Sequence, residues 1–347
     1  MENTAIGFPP TTIAVFVALA VIALAIDLFT HKSDKPVSLT NAAVWSVFWV
    51  VISLMFAGYL YVAHGPSVAS LFVTGYALEK VLSVDNLFVF MAIFAWFKIP
   101  DALRHRVLYW GIIGAIVFRL IFVAIGTGLL AFGPWVEVLF AVVVAWTAVM
   151  MLRSKEEDEE EDYSKHIAYR FAKKLFPVWP KLHGHNFFVS RTELEKEITK
   201  PQNKGMTLVG KGALFATPLF LCVVVVEVSD ILFAFDSVPA VIAVSREPLI
   251  VYSAMMFAIL GLRTMYFVLE ALKRYLVHLE KSVIALLFFI AGKLALNATD
   301  HLFGHGISID PNTSLIVVLV VLAIGIVASV IFPGKDEEQS DVKNDTN

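Results

Sequence analysis

Two short acidic stretches lie inside apolar runs long enough to cross a bilayer. Residues 79–89 read EKVLSVDNLFV and residues 227–239 read EVSDILFAFDSVP. Ionised side chains at membrane depth are costly and persist where they pair, reach a cavity or meet a substrate. A fold open to this chain must therefore hold both stretches in a protein-lined interior. The composition agrees, with 58% apolar and 16% charged residues and a mean hydropathy of +0.76. A soluble domain carries roughly a quarter charged residues.

Runs of about 18 or more mostly apolar residues mark spanning helices. Nine are predicted: 11–30, 41–62, 70–97, 107–130, 135–152, 213–240, 249–271, 282–297 and 313–332. The expectation is an all-α polytopic membrane protein. The first run lacks a basic segment and a small-residue cleavage site, and reads as a retained helix. Cys222 is the lone cysteine, which excludes a disulfide framework and a cysteine metal centre.

Positive charge orients the chain. With the N-terminus outside and the C-terminus inside, 22 of the 27 Lys and Arg fall on inner loops, and Arg246 alone lies outside. Lys80, Arg119, Arg263 and Lys293 fall within helices. Trp45, Trp49, Trp96, Trp110 and Trp135 stand near helix ends, as interfacial residues do. Glu137 and Glu270 also lie near helix ends and are expected to reach the interface. His301, His305, Asp300 and Asp310 read as outer loop residues.

Residues 70–152 repeat in 213–297. Glu79, Asp85 and Asn86 align with Asp230, Asp236 and Ser237 at identical spacing, Arg119 matches Arg263, and Met150 matches Lys293. The charge-derived orientation makes these three-helix units (helices 3–5 and 6–8) inverted repeats, a plan of secondary transporters with a midplane polar site. The expected organisation is peripheral helices over 1–66, one repeat over 67–152, a cytoplasmic loop over 153–212, the second repeat over 213–297, a ninth helix over 298–333 and a disordered tail over 334–347. Within the loop, the acidic run Lys155–Asp162 reads as solvated, RTELEKEI as a short amphipathic helix, and His183 and His185 as an isolated pair.

At about 100° per residue, Glu79, Ser83 and Asn86 share a helix face, and so do Glu227, Asp230 and Ser237. Asp85 and Asp236 fall off those faces. Pro239 disfavours helix at Val238 and removes a donor, so a break near 236–239 is expected to turn Asp236 inward. Five carboxylates (Glu79, Asp85, Glu227, Asp230, Asp236) face four counter-ions (Lys80, Arg119, Arg263, Lys293), and full pairing leaves one over. Asp27, at the inner end of the first helix, is a candidate access residue. Carboxylate with Asn86 and Ser237 oxygens suits Mn²⁺, Mg²⁺ or Ca²⁺, and no His or Cys lies near to favour zinc or copper. The bland alternative is a set of ion pairs that only hold helices together.

The stretches GYALEKVLSVDNLFVF (75–90), RHRVLYWGIIGAIVFR (104–119), VEVSDILFAFDSVPAV (226–241) and FAILGLRTMYF (257–267) resemble the TerC family of integral membrane proteins. The resemblance implies a multi-pass bacterial inner-membrane protein linked to manganese efflux and tellurite resistance. It places Glu79, Asp85, Asn86, Glu227, Asp230, Asp236 and Ser237 at the family's acidic motif positions as metal-site residues. Met150 departs from the family, which carries a lysine there as well as at Lys293. The primary expectation is divalent-cation transport, with Mn²⁺ as substrate and no other cofactor. The alternative is a membrane scaffold that docks cytosolic ter-operon proteins through 153–212. The bilayer is the expected environment, and no nucleic-acid partner is expected. Surplus carboxylate disfavours oxyanion export. No phosphate-binding loop, nucleophile elbow or redox cysteine pair suggests an enzyme.

Overall fold

A computed structural model describes residues 7–30, 38–154, 167–199, 212–272, 279–307 and 309–332. The helices are α1 (Pro10–Thr30), α2 (Leu39–His64), α3 (Pro66–Trp96), α4 (Asp101–Leu129), α5 (Pro134–Ser154), α6 (Ile167–Leu175), α7 (Arg191–Ile198), α8 (Pro218–Val244), α9 (Pro248–Ile259), α10 (Leu262–Leu272), α11 (Leu279–Phe303) and α12 (Pro311–Ile331). Six of the long ones begin at proline, whose fixed φ suits the first turn and whose missing N–H is unpaired there anyway. Ser38 caps α2 by accepting from the Asn41 N–H, and Asp310 caps α12 by accepting from Asn312 and Thr313.

Among the described residues, seven helices are long and apolar enough to cross a membrane. The α9–α10 pair, bent by 55°, makes an eighth if it is one span. The 31-residue α3 is not among them; it carries Glu79, Lys80 and Asp85. Large apolar side chains such as Val21, Val44, Val62 and Ile324 are exposed along these helices. A water-soluble monomer rarely exposes such continuous apolar surface. The chain is an all-α multi-pass membrane protein.

The expected single helix over 249–271 is instead broken. Leu260 leaves helical geometry, with φ −58° and ψ 130°, and Gly261 takes φ +75°. The Trp49 indole fills the space where a Cβ at position 261 would stand. Trp49 is therefore a buried wedge and no interfacial residue, whereas Trp110 and Trp135 are exposed as expected. The break expected near 236–239 is absent: α8 runs through Pro239 to Val244. Proline deletes one donor from the ladder, and a buried membrane helix tolerates that loss.

The helices pack reciprocally: α5 lies along α11, α4 against α8, and α3 against α9 and α8, with α2 and α12 covering α3. Two apolar cores result. One contains Val68, Phe72 and Leu82 of α3 with Val238, Val241 and Phe257. The other contains Leu87 and Phe94 of α3 with Val225, Val226 and Tyr266. Both α3 and α8 pass from one core to the other, and their acidic stretches lie at the crossing.

Between α5 and α8 the described residues include a small folded unit. Strands β1 (Phe188–Ser190) and β2 (Leu214–Ala216) pair antiparallel, with Val189 opposite Phe215. Trp179, Val189, Leu194 and Phe215 form a small separate core. The expected amphipathic helix is α7, held by a capping box between Ser190 and Glu193. The acidic run 155–162 and the tail 334–347 lie outside the described residues.

Candidate functional site

Three long helices build the site. α4 approaches α8 through glycines: a Cβ at Gly126 would press on Ile242, and one at Gly114 would overlap the Glu227 carboxyl. Small residues let membrane helices close on one another, and here the closeness brings Arg119 of α4 between α3 and α8. Arg119 is 2% exposed. One of its terminal nitrogens pairs with Glu79 Oε1. Its Nη2 donates to Asp230 Oδ1 at 3.3 Å. A planar guanidinium can bridge two carboxylates in this way, and an ammonium cannot do so as well. The two acidic stretches are thus joined by one arginine.

Around that bridge the predicted faces hold. Glu79, Ser83 and Asn86 are buried, and the Ser83 hydroxyl donates to Glu79 Oε1 at 3.4 Å. Asp230 and Ser237 are buried as well. Glu227 is partly buried and rests on Gly114. Glu79 Oε2, Glu227 Oε2, Asp230 Oδ2, Asn86 Nδ2 and Ser237 Oγ are buried atoms with no hydrogen-bond partner among the described residues. Asp236 is partly buried and accepts from the Ser237 N–H at 3.0 Å. The side chain of Asp85 lies outside the described residues.

The other three cations named from the sequence stand elsewhere. Lys80 Nζ donates to the carbonyls of Ala258 and Leu260, each at 3.0 Å. Arg263 pairs with Asp27 of α1, through its carboxylate at 3.3 Å and its backbone carbonyl, and its guanidinium lies over the Tyr109 ring. Lys293 donates to Ser314 Oγ of α12 at 2.9 Å. Asp27, the candidate access residue, is fully buried. Glu137 is buried too: Arg246 donates to it at 2.7 Å, and His301 lies 3.4 Å away. Glu270 pairs with Arg104.

Glu79 and Asp230 therefore share one guanidinium, and Glu227 lies three residues before Asp230 on α8 with no cation of its own among the described contacts. Buried carboxylates with spare lone pairs must take a proton or a cation. In this conformation no three Asp, Glu, His or Cys side chains among the described residues are grouped as a metal centre. Sequence reasoning missed Gly114, whose missing side chain leaves room for Glu227. The only sign was its place in GIIG five residues before Arg119.

A family model described as the integral membrane protein TerC family matches residues 64–337. The tellurium resistance protein TerC of Serratia marcescens is 70% identical over 343 residues, covering 98% of this chain and 99% of the relative. Its counterpart from an Alcaligenes species is 68% identical over the same shares. The putative membrane-bound redox modulator Alx of Photorhabdus laumondii subsp. laumondii is 37% identical over 297 residues, covering 83% of this chain and 86% of the relative. No solved structure matches.

Proposed function

The chain belongs to the TerC family of integral membrane proteins, and on that premise we propose that it transports divalent metal cations, with Mn²⁺ as substrate. The observation that carries the proposal is the set of spare buried oxygens on Glu79 and Asp230, which share Arg119, and on Glu227, one helical turn before Asp230. A hard cation is the ligand such oxygens accept. Asp236, Asn86 and Ser237 supply further oxygens from the same two stretches, and Asp85 stands in the aligned position on α3. The proposed ligand set assembles when α3 and α8 shift relative to α4, with Arg119 holding the carboxylates together when no metal is present.

In this reading α3 is a span despite its charges, giving nine spans with α9–α10 counted once. The orientation is N-out and C-in, in the bacterial inner membrane. α3–α5 and α8–α11 are inverted repeats. The reciprocal packing of α4 on α8 and α3 on α9, with α5 on α11, supports that symmetry. Relatives are named for tellurium resistance and for redox modulation, and both traits are here consequences of altered metal balance.

The test is flux of Mn²⁺, Mg²⁺, Ca²⁺ and Zn²⁺ into proteoliposomes. Wild type should move Mn²⁺. Glu227→Gln, nearly isosteric, should reduce the rate at least about tenfold, the lower end of what loss of a metal-site partner costs. Equal rates at equal incorporation, or no flux of any of the four ions by wild type, would overturn the proposal. Retained tellurite resistance in cells whose Glu227→Gln protein has lost flux would instead favour a scaffold acting through 153–212, where the ordered α6–β2 unit exposes Ile167 and Phe171.

A second outcome needs no change of charge. Gly114→Ala places a methyl on the Glu227 carboxyl and should reproduce the flux defect of Glu227→Gln. Gly128→Ala on the same helix meets nothing within 4 Å and should leave flux unchanged. Equal flux for both alanine variants would separate Gly114 from the site.

A further inference from the structure

The break between α9 and α10 is held from three sides, by α1, α2 and α3. On α2, the Trp49 indole seats against Gly261, and Ser46 Oγ donates to Thr264 Oγ1 at 3.2 Å. On α1, Asp27 takes Arg263, two residues past the break. On α3, Lys80 reaches across to the last carbonyls of α9.

That last contact has the form of an occupied cation site. A helix ends with unpaired carbonyls and about half a negative charge. Inside a bilayer these carbonyls have no water to turn to. The departure of Leu260 from helical geometry and the positive φ of Gly261 free the carbonyls of Ala258 and Leu260 in the middle of the fold. Carbonyl oxygens at the C-terminal end of a broken membrane helix are where transport proteins commonly hold small monovalent cations. Here both oxygens stand 3.0 Å from one ammonium nitrogen, a spacing that a potassium or ammonium ion would also satisfy. Ala258 is fully buried, Leu260 is 2% exposed, and Lys80 is partly buried.

We propose that the α9–α10 break is a monovalent-cation site that the chain fills with its own Lys80 ammonium, a tethered ion that replaces a diffusible one. Lys80 follows Glu79 directly, so the tether also fixes the acidic stretch of α3 to the break. The site is separate from the divalent site and does not require that divalent transport occur. Lys80 acts as a positioning residue, and its removal should expose a vacancy that a free cation can fill.

The experiment reads stability, not flux. Detergent-extracted wild type and Lys80→Met are melted in NaCl, KCl, NH₄Cl and choline chloride at equal ionic strength. Wild type should show the same Tm in all four. Lys80→Met should melt lowest in choline and gain, in at least one small cation, a rise of roughly 2–4 °C for each tenfold excess over the dissociation constant. A Lys80→Met protein with the same Tm in all four salts, or a wild type with an equal cation response, would overturn the proposal. If Lys80→Met does not survive extraction, Lys80→Gln is extracted in KCl, NH₄Cl and choline chloride. Folded protein recovered only with a small cation supports the site, and equal recovery or equal loss in all three rejects it.

Discussion

Arg119→Ala should be the most damaging single substitution of a charged residue in this chain, and Glu79→Gln should partly rescue it. The arginine is buried, and it neutralises Glu79 and Asp230 together. Removing one partner of a buried ion pair costs about 3–5 kcal/mol, because the other charge is left in a poor solvent. Two carboxylates are stranded here, on neighbouring helices. One would have to take a proton. Glu79→Gln removes the charge that is wholly enclosed, so the double variant should be more stable than Arg119→Ala alone. Residues sharing one network depart from additivity by about 0.5–3 kcal/mol. Arg119→Lys should fall between, since an ammonium cannot make two planar contacts at once. Melting of the extracted proteins, followed by size-exclusion recovery, measures all four. A double variant as unstable as the sum of its parts would show that Arg119 does not bridge the two stretches.

At the bridge, sequence and structure agree on helix faces and differ on partners. The acidic stretches, their faces and the family were legible, because charge inside apolar runs stands out and helical spacing fixes which residues point together. Partner choice was not legible. Arg119 and Arg263 align in the proposed repeat, yet Arg119 meets the motif carboxylates and Arg263 meets Asp27. The difference comes from Asp27 on α1, which lies outside both aligned stretches, so comparing those stretches does not reveal it. Lys80 reads as a counter-ion, and its ammonium donates to two carbonyls at the α9–α10 break. Spacing along a helix reports side-chain direction, but the carbonyls that Lys80 finds exist only because another helix breaks.

The expected break in α8 is absent, and a break that the sequence does not announce lies between α9 and α10. Pro239 was the expected site on local grounds, since it deletes a hydrogen bond. That deletion is a single donor, and a packed membrane helix absorbs it. Gly261 carried a weaker local signal, one glycine in an apolar helix. It breaks because two conditions coincide there: a backbone that can take positive φ, and a tryptophan on α2 that needs the space. Only the first can be read from the residue alone.

Gly261→Ala should accordingly destabilise the protein by two separable mechanisms. At φ +75° a side chain costs about 1–2 kcal/mol from backbone sterics alone. The added methyl also overlaps the Trp49 indole. That ring is 1% exposed and flanked by Trp45 and Phe48 at 6.3 and 5.1 Å between centroids, so it has little room to retreat. Overpacking a core of this kind costs about 1–3 kcal/mol. The total, roughly 2–5 kcal/mol by adding those ranges, should lower Tm clearly in extracted protein. Gly261→Asn discriminates the causes. Asparagine tolerates positive φ better than most residues but brings the same Cβ, so a loss equal to or above that of alanine means that the Trp49 contact dominates. Trp49→Ala opens the space at a cost of its own, about 3–5 kcal/mol for a buried aromatic. In that background Gly261→Ala should cost only the backbone share. Full additivity of the two substitutions would mean that Trp49 does not seat the break, and that the bend in α9–α10 is set by Gly261 and its own chain neighbours.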